Sequence, residues 1–230
     1  SQKNGFSVLA RGGGTSQNGQ TVNKSIVIDN SKYLNKILEF DPVSGKCVVE
    51  PGIVLDELNR FLKPHGLFFP VDVSTSSRAT IGGMAGNNSA GGRSIRYGIM
   101  RDNVNSIDVI MSNSELARFG MMPEQIFGLD EVLPELLSLG VNNRTEIERR
   151  FPKVLRRVGG YNLDALIEGT LSRRPGSNAA TSDINLAHLI VGSEGTLNYS
   201  SAIELKLSPL PPAKIMALCH FSSFYSAMES

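Results

Sequence analysis

The stretch ATIGGMAGNNSAGG, Ala79 to Gly92, holds five glycines and three alanines among its fourteen residues. Its polar side chains are limited to threonine, asparagine and serine, and no large side chain follows Met84. An ordinary turn does not need so many small residues. A surface that wraps a flat ligand does, because backbone can then approach the ligand and offer its amides. The competing reading is a flexible glycine-rich linker. Ile81 and Met84 inside the stretch, and Ile95, Tyr97 and Ile99 after it, count against that reading.

Three further clusters lie to either side. Arg11-Gly12-Gly13-Gly14-Thr15-Ser16 follows a short apolar run at Ser7–Ala10. Consecutive glycines there let successive N–H groups converge on an anion, with Thr15 and Ser16 adding hydroxyls, so a phosphate or pyrophosphate cradle competes with a plain flexible turn. The cluster is neither G-x-G-x-x-G opening a helix nor G-x-x-x-x-G-K-[ST], so the common dinucleotide and P-loop fingerprints are absent. Pro51-Gly52 sits between an expected strand and an expected helix and reads alone as a βα turn. Ile190-Val191-Gly192-Ser193-Glu194-Gly195-Thr196-Leu197 enters a glycine turn from an apolar run. Its Ser193 is not in G-x-S-x-G, and His65, His188 and His220 are scattered, so no nucleophile triad assembles.

Periodicity predicts strands at Ser25–Asp29, Cys47–Glu50, Val104–Met111, His188–Val191 and Ile203–Leu207. A helix is expected over Val54–His65, with Ile53, Leu55, Leu58, Phe61 and Leu62 as its apolar set. Two more are expected at Met121–Leu139 and Arg144–Val158, joined by a polar turn at Gly140–Asn143. This mixture of βα and ββ connections argues for an α+β fold and against a doubly wound parallel sheet. Lys214–Phe221 reads as a strand, with Ser222-Ser223 capping a helix that begins after it. A strand and half a helix cannot bury their own apolar faces, and the first strand has no earlier partner, so both ends read as cut.

The 230 residues carry 23 basic and 22 acidic side chains, a formal net charge of +1, which gives no whole-molecule field for nucleic acid. No apolar run approaches the roughly 20 residues of a membrane-spanning helix. Cys47 and Cys219 form no metal or disulfide motif, so no metal is expected and the cytoplasm is the expected compartment.

Taken in order, the four clusters resemble the FAD-binding domain of the vanillyl-alcohol oxidase / p-cresol methylhydroxylase flavoprotein family. Within it, Asn87-Asn88-Ser89-Ala90-Gly91, Arg96-Tyr97-Gly98 and Arg157-Val158-Gly159-Gly160-Tyr161-Asn162-Leu163 are similar to the D-2-hydroxyacid dehydrogenases, in particular those joined to a C-terminal iron–sulfur module. The resemblance implies two α+β subdomains with FAD between them, truncated at both ends. Residues 1–70, lacking a first βα unit, form the first subdomain, residues 71–213 the second, and residues 214–230 begin a substrate or cap domain. It assigns Arg11, Gly12, Gly13, Gly14, Thr15 and Ser16 to the pyrophosphate, and Pro51 and Gly52 to the middle of the cofactor. Pro70, Thr80, Gly82, Gly83, Ala85, Asn87 and Ser89 fall along the ribityl chain and flavin, and Ile190, Gly192, Gly195 and Thr196 at the adenine and flavin side. Some members tether the flavin through a histidine in the first glycine loop. That loop has none here, so the FAD is expected to be non-covalent. The implied activity is oxidation of a D-2-hydroxy acid of the D-lactate or D-2-hydroxyglutarate type to the 2-oxo acid. Electrons would leave to an acceptor, such as an iron–sulfur module of the same chain. The family's metal-binding and substrate-activating histidines lie in the cap, so no catalytic residue is assigned. A non-catalytic flavin or nucleotide module, and an NADPH-dependent reductase on the same fold, remain the alternatives.

Overall fold

The computed structural model describes residues 5–19, 22–154, 156–169, 183–213 and 215–229. Its centre is a five-stranded antiparallel sheet of β3 (Ile37–Asp41), β4 (Lys46–Val49), β8 (Tyr199–Lys206), β6 (Val104–Ile110) and β7 (Leu116–Phe119), side by side in that order. Cys47, Val49, Ile107, Val109, Ile203 and Leu205 point inward and are buried, while Glu39, Asp108, Arg118 and Glu204 carry the solvated face. Alternating burial of this kind is what one covered face of an antiparallel sheet produces. A separate parallel pair joins β1 (Val8–Arg11) to β2 (Ile26–Asp29), and β5 (Leu67–Phe68) pairs antiparallel with β9 (Ser208–Pro209). The fold is α+β. The expected boundary after residue 70 does not coincide with a break in the main sheet, which takes β3 and β4 from one side of it and β6, β7 and β8 from the other.

Helix α1 (Leu55–Leu62) buries Leu55, Leu58 and Leu62, the i, i+3, i+7 positions of its apolar stripe, in the core it shares with the sheet. Asp56 and Glu57 in its first turn and Arg60 in its last complement the helix dipole. A single 3-10 turn at Lys63–His65 extends it until Gly66, at φ +71°, turns the chain away. Helices α2 (Ile81–Asn87) and α3 (Ser94–Tyr97) follow β5. Beyond the sheet hairpin lie α4 (Leu133–Asn142), α5 (Arg144–Arg150) and α6 (Ala187–Ile190).

Several expected elements differ. His188–Val191 is not a strand. Ala187 to Ile190 form one helical turn, begun by the Asn185 side chain accepting from the Ala187 amide (2.9 Å). All four residues are buried, so an apolar run of this length carries no period to distinguish helix from strand. The helix expected over Met121–Leu139 starts only at Leu133, because residues 121–127 are drawn to the sheet edge. There the Met122 amide donates to the Ile184 carbonyl (2.9 Å) and the Arg118 amide to the Phe127 carbonyl (3.0 Å). Nor is there a turn at Gly140. Helix α4 runs through it, and Gly140 is small because a Cβ there would stand 2.5 Å from the Leu166 carbonyl oxygen. Helix α5 stops at Arg150, since Phe151 precedes Pro152 and is extended (φ −68°, ψ 126°). Residues 215–221 pair with no strand among the described residues, and Ile215, Met216 and Leu218 are exposed. The helix expected after them is present as α7 (Phe224–Glu229), with the Ser223 hydroxyl accepting from the Ser226 amide (3.1 Å). Leu155, inside an expected helix, and Lys214, the first residue of the expected strand, lie outside the described residues.

Candidate cofactor site

The densest glycine stretch is a helix, not a wrapping loop. Thr80 is the N-cap of α2, and its side-chain oxygen accepts from the Gly83 amide (3.3 Å). The two amides before Gly83 are taken at and just after the second bend, Gly82 donating to the Pro51 carbonyl (2.7 Å) and Ile81 to the Ile53 carbonyl (2.9 Å). The expectation that this stretch offers its amides to a ligand therefore fails at the N-terminus of α2, where those donors are consumed within the protein. At the other end Asn88, left-handed at φ +55°, closes the helix. The fourth bend then docks on its last carbonyls, with the Gly192 amide donating to Ala85 (2.9 Å) and the Glu194 amide to Gly86 (3.0 Å).

The first bend lies along the side of the same helix. A Cβ on Gly12 would overlap the Thr80 hydroxyl and come within 3.4 Å of the Gly83 Cα, and one on Gly13 would overlap the Arg78 carbonyl. A Cβ on Gly82 would stand 2.5 Å from the Pro51 Cβ, and one on Gly52 would overlap the Asn30 carbonyl and lie 2.6 Å from that of Leu34. The first, second and fourth bends thus converge on the third, a seven-residue helix. Most of their glycines are required by chain packing on chain, which the sequence reading attributed to a ligand.

What remains for a ligand is the rim. Gly13, Gly14, Ser16, Gly83, Asn87, Gly195 and Thr196 are exposed, and Arg11, Gly12, Thr15 and Gly82 are half-buried. Pro51, Gly52, Thr80, Ala85, Ser89, Ile190 and Gly192 are buried and support it. Pro70 is buried beside Phe69, whose amide donates to Asn59 of α1 (2.7 Å), and belongs with that helix. Among the described residues, the amides of Gly12, Gly13, Gly14 and Thr15 have no hydrogen-bond acceptor. The Arg11 side chain folds over the same bend, its Nη2 3.0 Å from where a Gly14 Cβ would stand. Its buried Nε has no hydrogen-bond partner and lies 4.0 Å from Asp29. The Asp29 carboxyl is held below its ordinary range mainly by the Ser31 hydroxyl. Four consecutive unused N–H donors beside a guanidinium make a donor set that suits a diphosphate.

Sequence reasoning did not include Arg78, whose carbonyl backs Gly13, and named Tyr161 and Asn162, which fix the fourth bend, only within the motif Arg157–Leu163 and without a role. Asn162 is 1% exposed and bonds both Arg101 and Arg157. Burial pulls the Arg101 guanidinium down from its usual range, against the opposing pull of Asp164. A polar residue next to Gly159-Gly160 was the available signal. A cavity of about 730 Å³ lies elsewhere, lined by Met121, Met122, Leu137, Val141, Ile167 and Ile184 among others, with none of the four bends in its wall. Glu124, Arg144, Glu168 and Asp183 also line it, whereas the unused amides of residues 12–15 lie beside α2.

The chain is 32% identical over 228 residues to the D-2-hydroxyglutarate dehydrogenase of Escherichia coli (strain K12), covering 96% of this chain and 21% of that protein. It is 28% identical to the mitochondrial D-lactate dehydrogenase [cytochrome] of Arabidopsis thaliana, covering 96% of this chain and 30% of that one. The chain thus spans about a fifth to a third of the length of these relatives. Alkyldihydroxyacetonephosphate synthase superposes with a TM-score of 0.57 at 21% identity, covering 92% of this chain and 31% of that chain, so it shares the fold. Residues 1–120, which carry the first two bends and α2, match the family described as the FAD binding domain, and the chain belongs to that family.

Proposed function

We propose that this chain is the FAD-holding part of a flavin-dependent dehydrogenase that oxidises a D-2-hydroxy acid of the D-lactate or D-2-hydroxyglutarate type to the 2-oxo acid. The observation that carries the reading is the convergence of three small-residue bends on the remaining glycine-rich stretch, α2, with the amides of residues 12–15 left unused. FAD, when bound, supplies the two-electron acceptance that such an oxidation needs.

The chain's own residues bind and orient. Gly12 to Thr15 donate to the diphosphate, Arg11 offsets its charge, and Gly83, Asn87, Gly195 and Thr196 line the rest of the rim. Pro51, Gly52, Thr80, Ala85 and Gly192 act from beneath by fixing the bends, not by touching the cofactor. No histidine stands in the first bend, so the FAD is held non-covalently. The substrate proton is taken by a group outside this chain. Electrons pass on to a separate acceptor, for which an iron–sulfur module of the same full-length protein is the candidate. The cytoplasm fits the two cysteines, Cys219 being free and exposed and Cys47 buried with its thiol pushed up to about 12 by desolvation. Among the described residues no helix is long and apolar enough to cross a membrane.

The test has two stages. FAD titrated into the folded chain should shift the visible flavin bands and survive gel filtration, and absence of binding at micromolar FAD overturns the cofactor assignment. In the full-length protein, D-2-hydroxyglutarate or D-lactate should bleach the bound flavin. FAD binding without any bleaching by 2-hydroxy acids would instead leave a non-catalytic flavin module.

A further inference from the structure

We propose that Asn162, with Tyr161 beside it, is a positioning residue for the fourth bend and through it for the FAD slot, an inference that rests on the cofactor reading above. The Asn162 side chain uses its full hydrogen-bonding capacity. Its Oδ1 accepts from Arg101 Nη1 (2.6 Å) and Arg157 Nη2 (3.1 Å). Its Nδ2 donates to the carbonyls of His188 (3.0 Å) and Val191 (2.8 Å), the latter immediately before Gly192. Gly192 has φ +91°, and a Cβ there would stand 3.1 Å from the Gly160 carbonyl oxygen and 3.3 Å from the Asn88 Cβ, with the Asn162 Nδ2 at contact distance (3.5 Å). At the far end of the bend the Tyr161 hydroxyl meets the Thr196 hydroxyl at 2.8 Å. Two consecutive residues therefore hold the entrance and the exit of one bend, whose middle is bonded to α2 through Gly192 and Glu194.

The arginine end of this brace is anchored to the same helix. The Arg101 amide donates to Oδ1 of Asn88 (3.2 Å), the C-cap of α2, so contacts run in a closed ring from α2 through Arg101 and Asn162 to the bend and back to α2. Asp164 faces both arginines, at 3.4 Å from Arg101 and 2.5 Å from Arg157. Two guanidiniums thus share one carboxylate, and a carboxylate at position 162 would satisfy them at least as well as the amide does. It would also turn an acceptor oxygen towards the His188 and Val191 carbonyls. The amide is therefore required by the bend and not by the arginines.

Asn162→Asp separates the two roles. In the 230-residue chain it should speed hydrogen exchange at the amides of residues 192–196 roughly ten-fold or more, while β6 and β8 keep their protection. The FAD dissociation constant should rise by a similar factor, with a weakened visible circular-dichroism band of the bound flavin. Tyr161→Phe, which removes one exposed hydroxyl and keeps Asn162, should give the same changes at a few-fold level, read mainly at Thr196. Unchanged exchange at the bend in both variants overturns the brace, whatever the flavin does. Faster exchange with unaltered FAD affinity overturns its link to the slot, and faster exchange throughout the molecule reduces Asn162 to a general stabiliser. Failure of the wild-type chain to bind FAD would instead fall on the cofactor reading, while the exchange arm still decides the brace.

Discussion

The first bend, Arg11 to Ser16, and helix α2, Ile81 to Asn87, are the two parts of the site richest in glycine, and they use it in opposite ways. In α2 the first three amides are consumed, two by carbonyls at and just after the second bend and one by the Thr80 hydroxyl, and Gly82 is small because Pro51 presses on it. In the first bend four consecutive amides are unused, and the chain is open to solvent at Gly13 and Gly14. Glycine density therefore does not measure ligand contact. One cluster is a packing joint whose donors are spent, and the other is a loop whose donors are kept for something else.

The sharpest way to break this contrast is Gly82→Ala. Alanine is favoured over glycine in a helix by about 1 kcal/mol. A Cβ here would nonetheless meet the Pro51 Cβ at 2.5 Å and its carbonyl at 2.8 Å, and that carbonyl accepts the Gly82 amide. Overpacking against backbone should win, with a net loss of about 3 kcal/mol in a denaturant melt. A stabilised variant would mean that the joint is loose. Next in size is the ligand itself. If the first bend holds its amides for a diphosphate, FAD at about 100 times its dissociation constant should stabilise the chain by about 2.7 kcal/mol, and its removal by gel filtration should reverse the gain. Inorganic pyrophosphate, presenting only the part that the first bend would grip, should give a smaller shift of the same sign, and a shift from FAD with none from pyrophosphate would move the anchor away from residues 12–15.

How far these roles were legible follows from the same physics. Strands β4, β6 and β8 and helix α1 announce themselves through apolar alternation or spacing, because each has one buried side, whereas β1 and β2 show only as short apolar runs and bury no residue. Edge strands β3 and β7 are short and interrupted by charge at Glu39 and Arg118, so no alternation stands out. Helix α2 was hidden because glycine scores against helix, and only the tertiary partners at both ends, Pro51 and Gly192, make a helix of it. The family-like order of the bends singled out segments that the fold gathers around α2. It did not distinguish rim from support, because an unused amide and a spent one are the same letter in a sequence.

Thr80→Ala probes the seam between the two regions. The Thr80 hydroxyl caps Gly83 and also fills the space against Gly12. Losing the cap should cost about 1 kcal/mol, and Thr80→Ser, which keeps the oxygen, should recover most of it. Equal losses in the two variants would show that the methyl and not the cap matters, and would make the seam an apolar contact.

Gly86→Ala gives the smallest effect and the opposite sign. Gly86 lies four residues after Gly82 on the same helix, but its neighbour is the fourth bend, with the Glu194 Cα 3.6 Å and its amide nitrogen 4.0 Å from the added Cβ. Those are ordinary contact distances, so nothing opposes the gain in helix propensity, and the variant should be more stable by roughly 0.5–1 kcal/mol. The pair therefore tests packing against propensity on a single helix, with the same substitution destabilising under Pro51 and stabilising under Glu194. Loss of stability at both positions would mean that the fourth bend grips α2 as tightly as the second does, leaving the first bend alone as the open part of the site.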